Sequence, residues 1–187
     1  MTEELILVDE RNRAVGRAEK WAVHREARLH RAFSVFLVDR AGRLLVQRRS
    51  RAKYHSAGLW ANSCCGHPRP GEQTMRAARR RLGEELGADA PLRFAFRARY
   101  CTALANGLTE NEIVYVYFGA APAAASLALN PAEVSAVAWM SLDDLATDIA
   151  GHPRRYAYWL RYYFKNHAAA LRRQTRAFFV SQRRAPA

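Results

Sequence analysis

The chain of 187 residues has only three cysteines, and two of them are neighbours. Neighbouring cysteines rarely bridge and the third is left over, so a disulfide framework is excluded and reduced thiols are expected. No apolar run reaches the roughly 20 residues that cross a bilayer. The opening MTEELILVDERNR starts acidic and holds a four-residue apolar stretch, which does not suit a signal peptide. These absences predict a cytoplasmic protein without a membrane partner.

Acidic residues and lysine are scarce as well. Seventeen Asp and Glu face thirty Lys and Arg, nearly all of them arginine, and the net charge is +13. A solvated basic surface is the ordinary explanation, whereas a phosphate pocket needs a few convergent arginines and a nucleic-acid face needs a stripe. The C-terminal RRQTRAFFVSQRRAPA is expected to be a helix end and a basic tail. Contact of that tail with RNA or a partner stays open.

The apolar pattern predicts strands through the first two thirds of the chain and helices at its end. Period-two or β-rich runs indicate strands at 5–8, 30–38, 43–47, 92–100, 112–118 and 134–140. Apolar residues from Met75 to Leu86 recur at helical spacing, with Thr74 placed to cap this helix and Gly87 to end it. A short SLDDL helix with a serine cap and a long aromatic-rich helix over 153–179 follow. The expected class is α+β, one domain over 1–187 whose residues 170–187 form a basic tail.

The sequence NSCCGHPR at 62–69 concentrates unusual residues. Its cysteine pair fits a disulfide remnant, half of a metal site, two buried small apolar residues, or a reactive thiol beside a metal ligand. If this segment is extended, side chains alternate between its two faces. Cys65 and His67 then share one face, and Cys64 lies on the other.

The stretch GHPRPGEQTMRAARRRLGEELG resembles a Nudix box, a loop, helix and loop that holds a divalent metal on a diphosphate. Carboxylates on a helical turn can hold Mg²⁺, which neutralises pyrophosphate oxygens. The glutamate expected directly after Arg80 is here Arg81. This change removes a hydrolytic metal ligand and puts a cation one helical turn from Glu85, where it could bind phosphate. Ordinary Arg–Glu surface pairs are the alternative.

Histidines and carboxylates form a second candidate constellation. Glu110 and Glu112 are two residues apart in a predicted strand, so their side chains share a face. Three imidazoles with two carboxylates suit Mn²⁺, Zn²⁺ or Mg²⁺, and the candidate ligands are His24, His30, His67, Glu110 and Glu112. The remaining histidines, His55, His152 and His167, are expected to be satisfied surface groups.

Taken together, HRAFSVFLVD, LLVQRRSRAKYHSAGLWANSCCGHPRPGE, RRRLGEELG and TENEIVYVYF resemble the type I isopentenyl-diphosphate isomerases, a family of Nudix fold. The resemblance runs from about Leu5 to Trp159. It implies a Nudix-like mixed β-sheet sandwiched by helices. It also implies isomerisation of isopentenyl diphosphate to dimethylallyl diphosphate, in which the diphosphate is held and not cut.

The resemblance also assigns roles to residues. Cys65 and Glu112 are implied to be catalytic on opposite sides of the substrate, with Tyr100 near the reacting carbons. His24, His30, His67, Glu110 and Glu112 are implied to hold one metal, and Glu85 a Mg²⁺ that also binds the diphosphate. The implied substrate-binding residues are Lys20, Arg49, Lys53, Arg81 and Trp159. Core packing is a nearly equal interpretation of Trp159.

Two other functions are compatible with parts of the sequence. A Nudix hydrolase of a nucleoside diphosphate derivative would use the same box, but Arg81 and the position of Cys65 argue against it. An RNA-binding module would use the arginine-rich tail, but it leaves Glu110, Glu112 and the cysteines unexplained. The expected partner is therefore a small diphosphate. The sequence leaves the oligomeric state open, with a monomer favoured.

Overall fold

A computed structural model describes residues 3–104, 106–122 and 126–184. The strands in these ranges are β1 Glu4–Val8, β2 Ala14–Glu19, β3 His30–Val38, β4 Leu44–Arg49, β5 Trp60–Asn62, β6 Cys64–Gly66, β7 Leu92–Ala103, β8 Thr109–Ala120 and β9 Val134–Met140. The helices are α1 Lys20–Arg25, α2 Thr74–Leu86, α3 Leu142–Gly151, α4 Tyr158–Asn166 and α5 Ala168–Arg184, with a 3₁₀ turn at Pro153–Arg155. In the part of the chain so described, no helix is both long and apolar enough to span a membrane.

Strand β3 lies at the centre of a mixed sheet. It pairs in parallel with β8 along its whole length, from His30 opposite Glu112 to Val38 opposite Ala120. It pairs antiparallel with β1, β4 and β6. The sheet continues through β7 beside β8 and through β5 and β9 beside β4. This order brings the ends of β3, β6 and β8 together at one place.

The sheet buries both of its faces, which confirms the predicted sandwich. Phe33, Val35 and Leu37 of β3 pack with Leu82 of α2 in one core cluster. The alternate residues of β3, including Phe36, pack in a second cluster with residues of α3, α4 and α5. A strand that is buried on both faces reads as a continuous apolar run, as FSVFLV does.

Helix α2 ends as the sequence predicts but begins differently. Gly87 is left-handed at φ 61°, and its N–H donates to the Gly83 carbonyl. The prediction that Thr74 caps the helix is wrong, because Thr74 is its first helical residue and Gln73 is the N-cap without a side-chain bond. The turn at Pro70 and Gly71 sets this start, since Gln73 follows it in an extended conformation.

The C-terminal region is broken where one helix was predicted. Residues 153–155 form a 3₁₀ turn, and α4 and α5 are separated at His167, whose φ of −130° is not helical. Residues 170–184 of the predicted basic tail belong to α5, and the predicted helix already covered this stretch up to residue 179. Leu171 and Phe178 are buried against the sheet, so this helix is part of the core. The last three residues lie outside the described ranges.

Candidate active site

The ends of β3, β6 and β8 border a cavity of about 630 Å³. Every residue that the sequence analysis assigned to catalysis or substrate binding lines this cavity. Of the assigned metal ligands, His67, Glu110 and Glu112 line it too, while His24 and His30 lie directly behind them, fully buried. Glu85, on α2, is also buried and contacts the cavity residue Arg81. The fold therefore gathers all of the candidate residues at one place.

Three histidines and one glutamate form a compact cluster. The candidate ligand atoms of His24, His30, His67 and Glu110 all lie within 4.8 Å of one another, and these residues could hold a metal ion. His24 comes from α1, His30 from the first residue of β3, and Glu110 from β8. The helix α1 was not predicted from the sequence, yet it supplies one corner of the site.

The ring orientations fit a divalent cation. His24 Nδ1 donates to the Lys20 carbonyl at 2.7 Å, and His30 Nδ1 donates to the Arg28 carbonyl at 2.9 Å. Each Nε2 lone pair then faces the cluster. Among the described residues, the Nε2 atoms of His24 and His30 and Oε2 of Glu110 are buried without a hydrogen bond. Converging, unsatisfied N and O donors whose rings are fixed from behind are typical of metal sites.

Glu112 lies beside this cluster and contacts two of its members. Its Oε1 is 2.9 Å from His67 Nε2 and 3.4 Å from His30 Nε2. The Tyr100 hydroxyl donates to its other oxygen. Burial alone would raise the pKa of Glu112, but the contacts with His30 and Tyr100 lower it below the ordinary value. The lowered pKa makes Glu112 an ionised carboxylate at neutral pH, beside the cluster of candidate ligands and in the wall of the cavity.

The neighbouring cysteines point to opposite sides of β6, as the alternation predicts. Cys64 is fully buried in the core cluster of Phe33 and Leu82. Cys65 lines the cavity together with His67. Burial raises the pKa of the Cys65 thiol to about 12, so the thiol keeps its proton at neutral pH. Three cysteines are free, which agrees with the prediction of reduced thiols.

Four of the cations that line the cavity, Lys20, Arg49, Lys53 and Arg81, are those assigned to the substrate, and we call this group the cationic end. Carboxylates hold three of them. Lys20 Nζ is 2.9 Å from Glu3, and Lys53 Nζ is 2.5 Å from Glu133. Arg81 Nη2 is 2.7 Å from Glu85 Oε1 and 3.1 Å from Glu133 Oε2. The close approach of Arg81 to Glu85 is the one expected for residues four apart on a helix.

Arg49, the fourth cation, is held differently. Its guanidinium lies 5.2 Å from the centre of the Trp159 ring, a distance typical of a cation–π contact. Its Nη2 donates to the His55 carbonyl at 3.1 Å. Its Nε is buried without a hydrogen bond among the described residues. Trp159 both packs in the core and lines the cavity, so its position is compatible with core packing and with contact to a substrate.

Comparisons with known proteins identify the family of the chain. A NUDIX domain model matches residues 28–162. Isopentenyl-diphosphate Delta-isomerase 2 of Aromatoleum aromaticum is 46% identical over 160 residues, which cover 86% of this chain and 84% of that protein. The isopentenyl-diphosphate Delta-isomerase of Burkholderia multivorans is 45% identical over 163 residues, 85% and 89% of the two chains. The chain belongs to the isopentenyl-diphosphate Delta-isomerase family.

Solved structures confirm the Nudix fold. The crystal structure of DR0079 from Deinococcus radiodurans superposes with a TM-score of 0.72 at 25% identity, over 92% of this chain and 99% of that one. The MutT protein of Methanosarcina mazei Go1 has a TM-score of 0.60 at 19% identity, over 80% and 94% of the two chains. This similarity supports the fold alone.

The sequence analysis missed three cavity residues that make ion-pair contacts with assigned residues. His55 was expected on the surface, and that expectation is wrong, since it is buried with its Nε2 3.2 Å from Glu110 Oε1. Glu3 and Glu133 were not considered at all. Each pairs with a cation of the cavity over a long sequence separation, which no local pattern indicates. His152 is exposed, as expected.

Proposed function

We propose that the protein interconverts isopentenyl diphosphate and dimethylallyl diphosphate, with Cys65 and Glu112 exchanging the two protons. A proton is added at C4 of the substrate and another is lost from C2, while the diphosphate stays intact. The observation that carries this proposal is the pairing of a protonated thiol with an ionised carboxylate in one cavity with a cationic end. The family supports the same reaction, because the cited relatives are isopentenyl-diphosphate Delta-isomerases.

Cys65 and Glu112 start in complementary protonation states. The thiol carries a proton that burial makes hard to lose, and the carboxylate is ready to accept one. One turnover takes a proton from one group and gives a proton to the other, so the two groups end in exchanged protonation states. The proton must return between them, directly or through water, before a second turnover in the same direction. The reverse reaction then uses the same pair, as a reversible proton transfer requires.

Tyr100 and Trp159 border the volume in which the carbon skeleton would lie. Protonation of an unactivated alkene builds positive charge at C3, and an aromatic face with nearby anionic groups stabilises it. The Tyr100 hydroxyl donates a hydrogen bond to Glu112, which fixes the orientation of the carboxylate. Both aromatic residues are buried, and they exclude water that would capture the cation.

The cluster of His24, His30, His67 and Glu110, with Glu112 at its side, would hold a divalent metal. Mn²⁺, Mg²⁺ and Zn²⁺ all accept such a nitrogen and oxygen donor set. A cation bound there supplies positive charge beside Glu112 and keeps that carboxylate ionised. Glu110 and the histidines would hold the metal in place. Glu112, beside them, would also contact the substrate.

The cationic end would hold the diphosphate. Lys20, Arg49, Lys53 and Arg81 line that end, and arginine is well suited to bidentate phosphate binding. Glu85 would hold Mg²⁺ together with the diphosphate. Its Oε2 accepts a hydrogen bond from Gln47 at 2.9 Å, which fixes the carboxylate toward Arg81. Arg81 stands where a hydrolase of this fold has a glutamate, so this end would bind without cleaving.

Nuclear magnetic resonance in D₂O tests the reaction. The protein is mixed with isopentenyl diphosphate, Mg²⁺ and Mn²⁺, and the products are followed over time. Dimethylallyl signals with deuterium in the product are the expected result. Release of inorganic phosphate or pyrophosphate with an unmoved double bond would show a hydrolase instead.

A further inference from the structure

His55 lies in a loop that directs its side chain inward. The loop spans residues 50–59, between β4 and β5, and its ends are joined by a hydrogen bond of 3.1 Å from the Gly58 N–H to the Arg49 carbonyl. Ser56, directly after His55, has a φ of 49°, a left-handed conformation that is uncommon outside glycine. A strained backbone of this kind persists where the surroundings hold it in place. Only 7% of His55 is exposed.

The His55 ring contacts the one carboxylate of the compact metal cluster. Its Nε2 lies 3.2 Å from Glu110 Oε1, while Glu110 Oε2 lies 3.3 Å from His24 Nε2. The two oxygens of Glu110 are thus divided. One faces the cluster of candidate ligands, and the other faces His55.

His55 is outside the set of atoms that could share one cation. That set contains donor atoms of His24, His30, His67 and Glu110. The ring centres of His24, His30 and His67 are 4.9 to 5.5 Å apart, whereas His24 and His55 are 6.1 Å apart. His55 therefore reaches the cluster through Glu110.

Aromatic neighbours hold the His55 ring in this orientation. Tyr54 meets it edge to face at 4.3 Å, and Trp159 does so at 5.9 Å. Its Nδ1 lies 3.3 Å from the Ser56 hydroxyl, which can donate to it. With Nδ1 as the acceptor, a neutral imidazole carries its proton on Nε2, the atom that faces Glu110.

We propose that His55 is a positioning residue of the metal site, whose Nε2–H faces Glu110 Oε1 and leaves Oε2 alone to bind the metal. Partners behind a ligand fix its orientation, and their loss typically weakens metal binding by about 10- to 100-fold. This role rests on the proposed metal site. It differs from the sequence expectation, in which His55 was a surface residue.

The backbone of His55 contacts one cation of the cavity. Its carbonyl accepts the bond from Arg49, and a side-chain substitution leaves that carbonyl in place. Changes to the His55 ring should therefore act on the metal site and spare anion binding. The two readouts can be measured separately on the same variant.

The decisive experiment titrates the metal-free full chain with Mn²⁺ by isothermal calorimetry and electron paramagnetic resonance. His55→Phe keeps the ring volume without a donor, whereas His55→Gln places an amide N–H at the same distance along the side chain. The expected result is about 10- to 100-fold weaker Mn²⁺ binding for His55→Phe and near-normal binding for His55→Gln. Pyrophosphate binding should be unchanged in both, and the exposed His152→Gln is the matched control.

Two outcomes would overturn the role, and a third would overturn the metal site on which it rests. Equal Mn²⁺ affinity for His55→Phe and the unaltered chain would make His55 a packing residue. Equal losses in the Phe and Gln variants would show that the donor is irrelevant. An unaltered chain that binds no Mn²⁺ would remove the metal site itself, which is a separate failure.

A measurement on the unaltered chain covers the case in which a variant does not fold. With ¹¹³Cd²⁺ bound and the histidines labelled with ¹⁵N, the rings of His24, His30 and His67 should show one-bond coupling to cadmium. His55 should show none and should have its proton on Nε2. Coupling at His55 would make it a direct ligand and would overturn the positioning role.

Discussion

At the residue scale, Cys64 and Cys65 have the same chemistry and opposite surroundings. Cys65→Ala should leave a folded, metal-binding protein whose turnover falls by about 10²- to 10⁴-fold, because a proton-transfer group is lost. Cys64→Ala should keep nearly full activity, since Cys64 is a small buried side chain in the core. Steady-state kinetics and thermal unfolding of both variants separate activity from stability.

An electrophilic substrate analogue gives an independent check on this pair. It should label Cys65, which lines the cavity, and spare the buried Cys64 and the exposed Cys101. A dead Cys64→Ala variant beside an active Cys65→Ala variant would contradict both the assigned role and the alternation along β6.

Arg81 is the second residue whose surroundings lead to a sharp expectation. Arg81→Glu puts a carboxylate among Glu84, Glu85 and Glu133, which now surround the guanidinium. Like charges at the cationic end should raise KM for the diphosphate substrate more than they create hydrolysis. The exposed Arg76→Glu on the same helix makes the same change in net charge and should keep a normal KM. Efficient phosphate release by Arg81→Glu with unchanged affinity would refute the assignment.

At the scale of elements, α2 carries Arg81 and Glu85. Alanine in place of the glycine inside this helix and of the glycine that ends it should change the free energy of unfolding in opposite directions. Gly87 is left-handed, and a Cβ there would lie 2.7 Å from that of Ala128, so Gly87→Ala should destabilise by more than 1 kcal/mol or so. At Gly83 a Cβ meets no described atom within 4 Å beyond the helix itself, so Gly83→Ala should stabilise by about 0.5–1 kcal/mol. Denaturant unfolding of both variants measures the two effects. Equal signs would show that backbone conformation is not the cause.

The elements whose side chains follow a fixed period were predictable from the sequence. Alternation in β6 and β8 correctly paired Cys65 with His67 and Glu110 with Glu112, because residues two apart share a face of a strand. Helical spacing correctly put Arg81 beside Glu85. Within one helix or strand the relative directions of side chains are local, and the spacing of residues in the sequence is enough to predict them.

His55 was missed because its position depends on a turn and not on a period. Nothing in KYHSAGLW announces that Ser56 adopts a positive φ and turns the ring inward. The break between α4 and α5 at His167 was missed for a similar reason, since KNHAAA contains neither proline nor glycine. Glu3 and Glu133 join the site only through tertiary pairs with Lys20 and Lys53. Such contacts follow from the whole fold and leave no local signal.

At the scale of the whole molecule, the net charge of +13 does not leave the cavity simply positive. Carboxylates of Glu3 and Glu133 pair with Lys20, Lys53 and Arg81 at the cationic end. A diphosphate bound at these residues, as proposed, would exchange these internal ion pairs for its own contacts. A site of this kind holds its cations in place before the ligand arrives, and it discriminates for a ligand with enough negative charge to displace the carboxylates.

The two proposed metal sites should be separable by experiment. Binding of a metal to the compact cluster should raise the thermal stability of the whole chain. A ligand at 100 times its Kd stabilises the native state by about 2.7 kcal/mol, so Mn²⁺ alone should raise Tm and a chelator should lower it again. Glu110→Ala should abolish this increase, because it removes a member of the compact cluster.

Mg²⁺ should then strengthen the binding of pyrophosphate in the Mn²⁺-loaded chain, since Mg²⁺ keeps few protein ligands and shares phosphate oxygens. Glu85→Gln should lose this second coupling and keep the first. Equal Mg²⁺ stoichiometry with and without pyrophosphate, measured by equilibrium dialysis, would contradict a Glu85 site completed by the substrate.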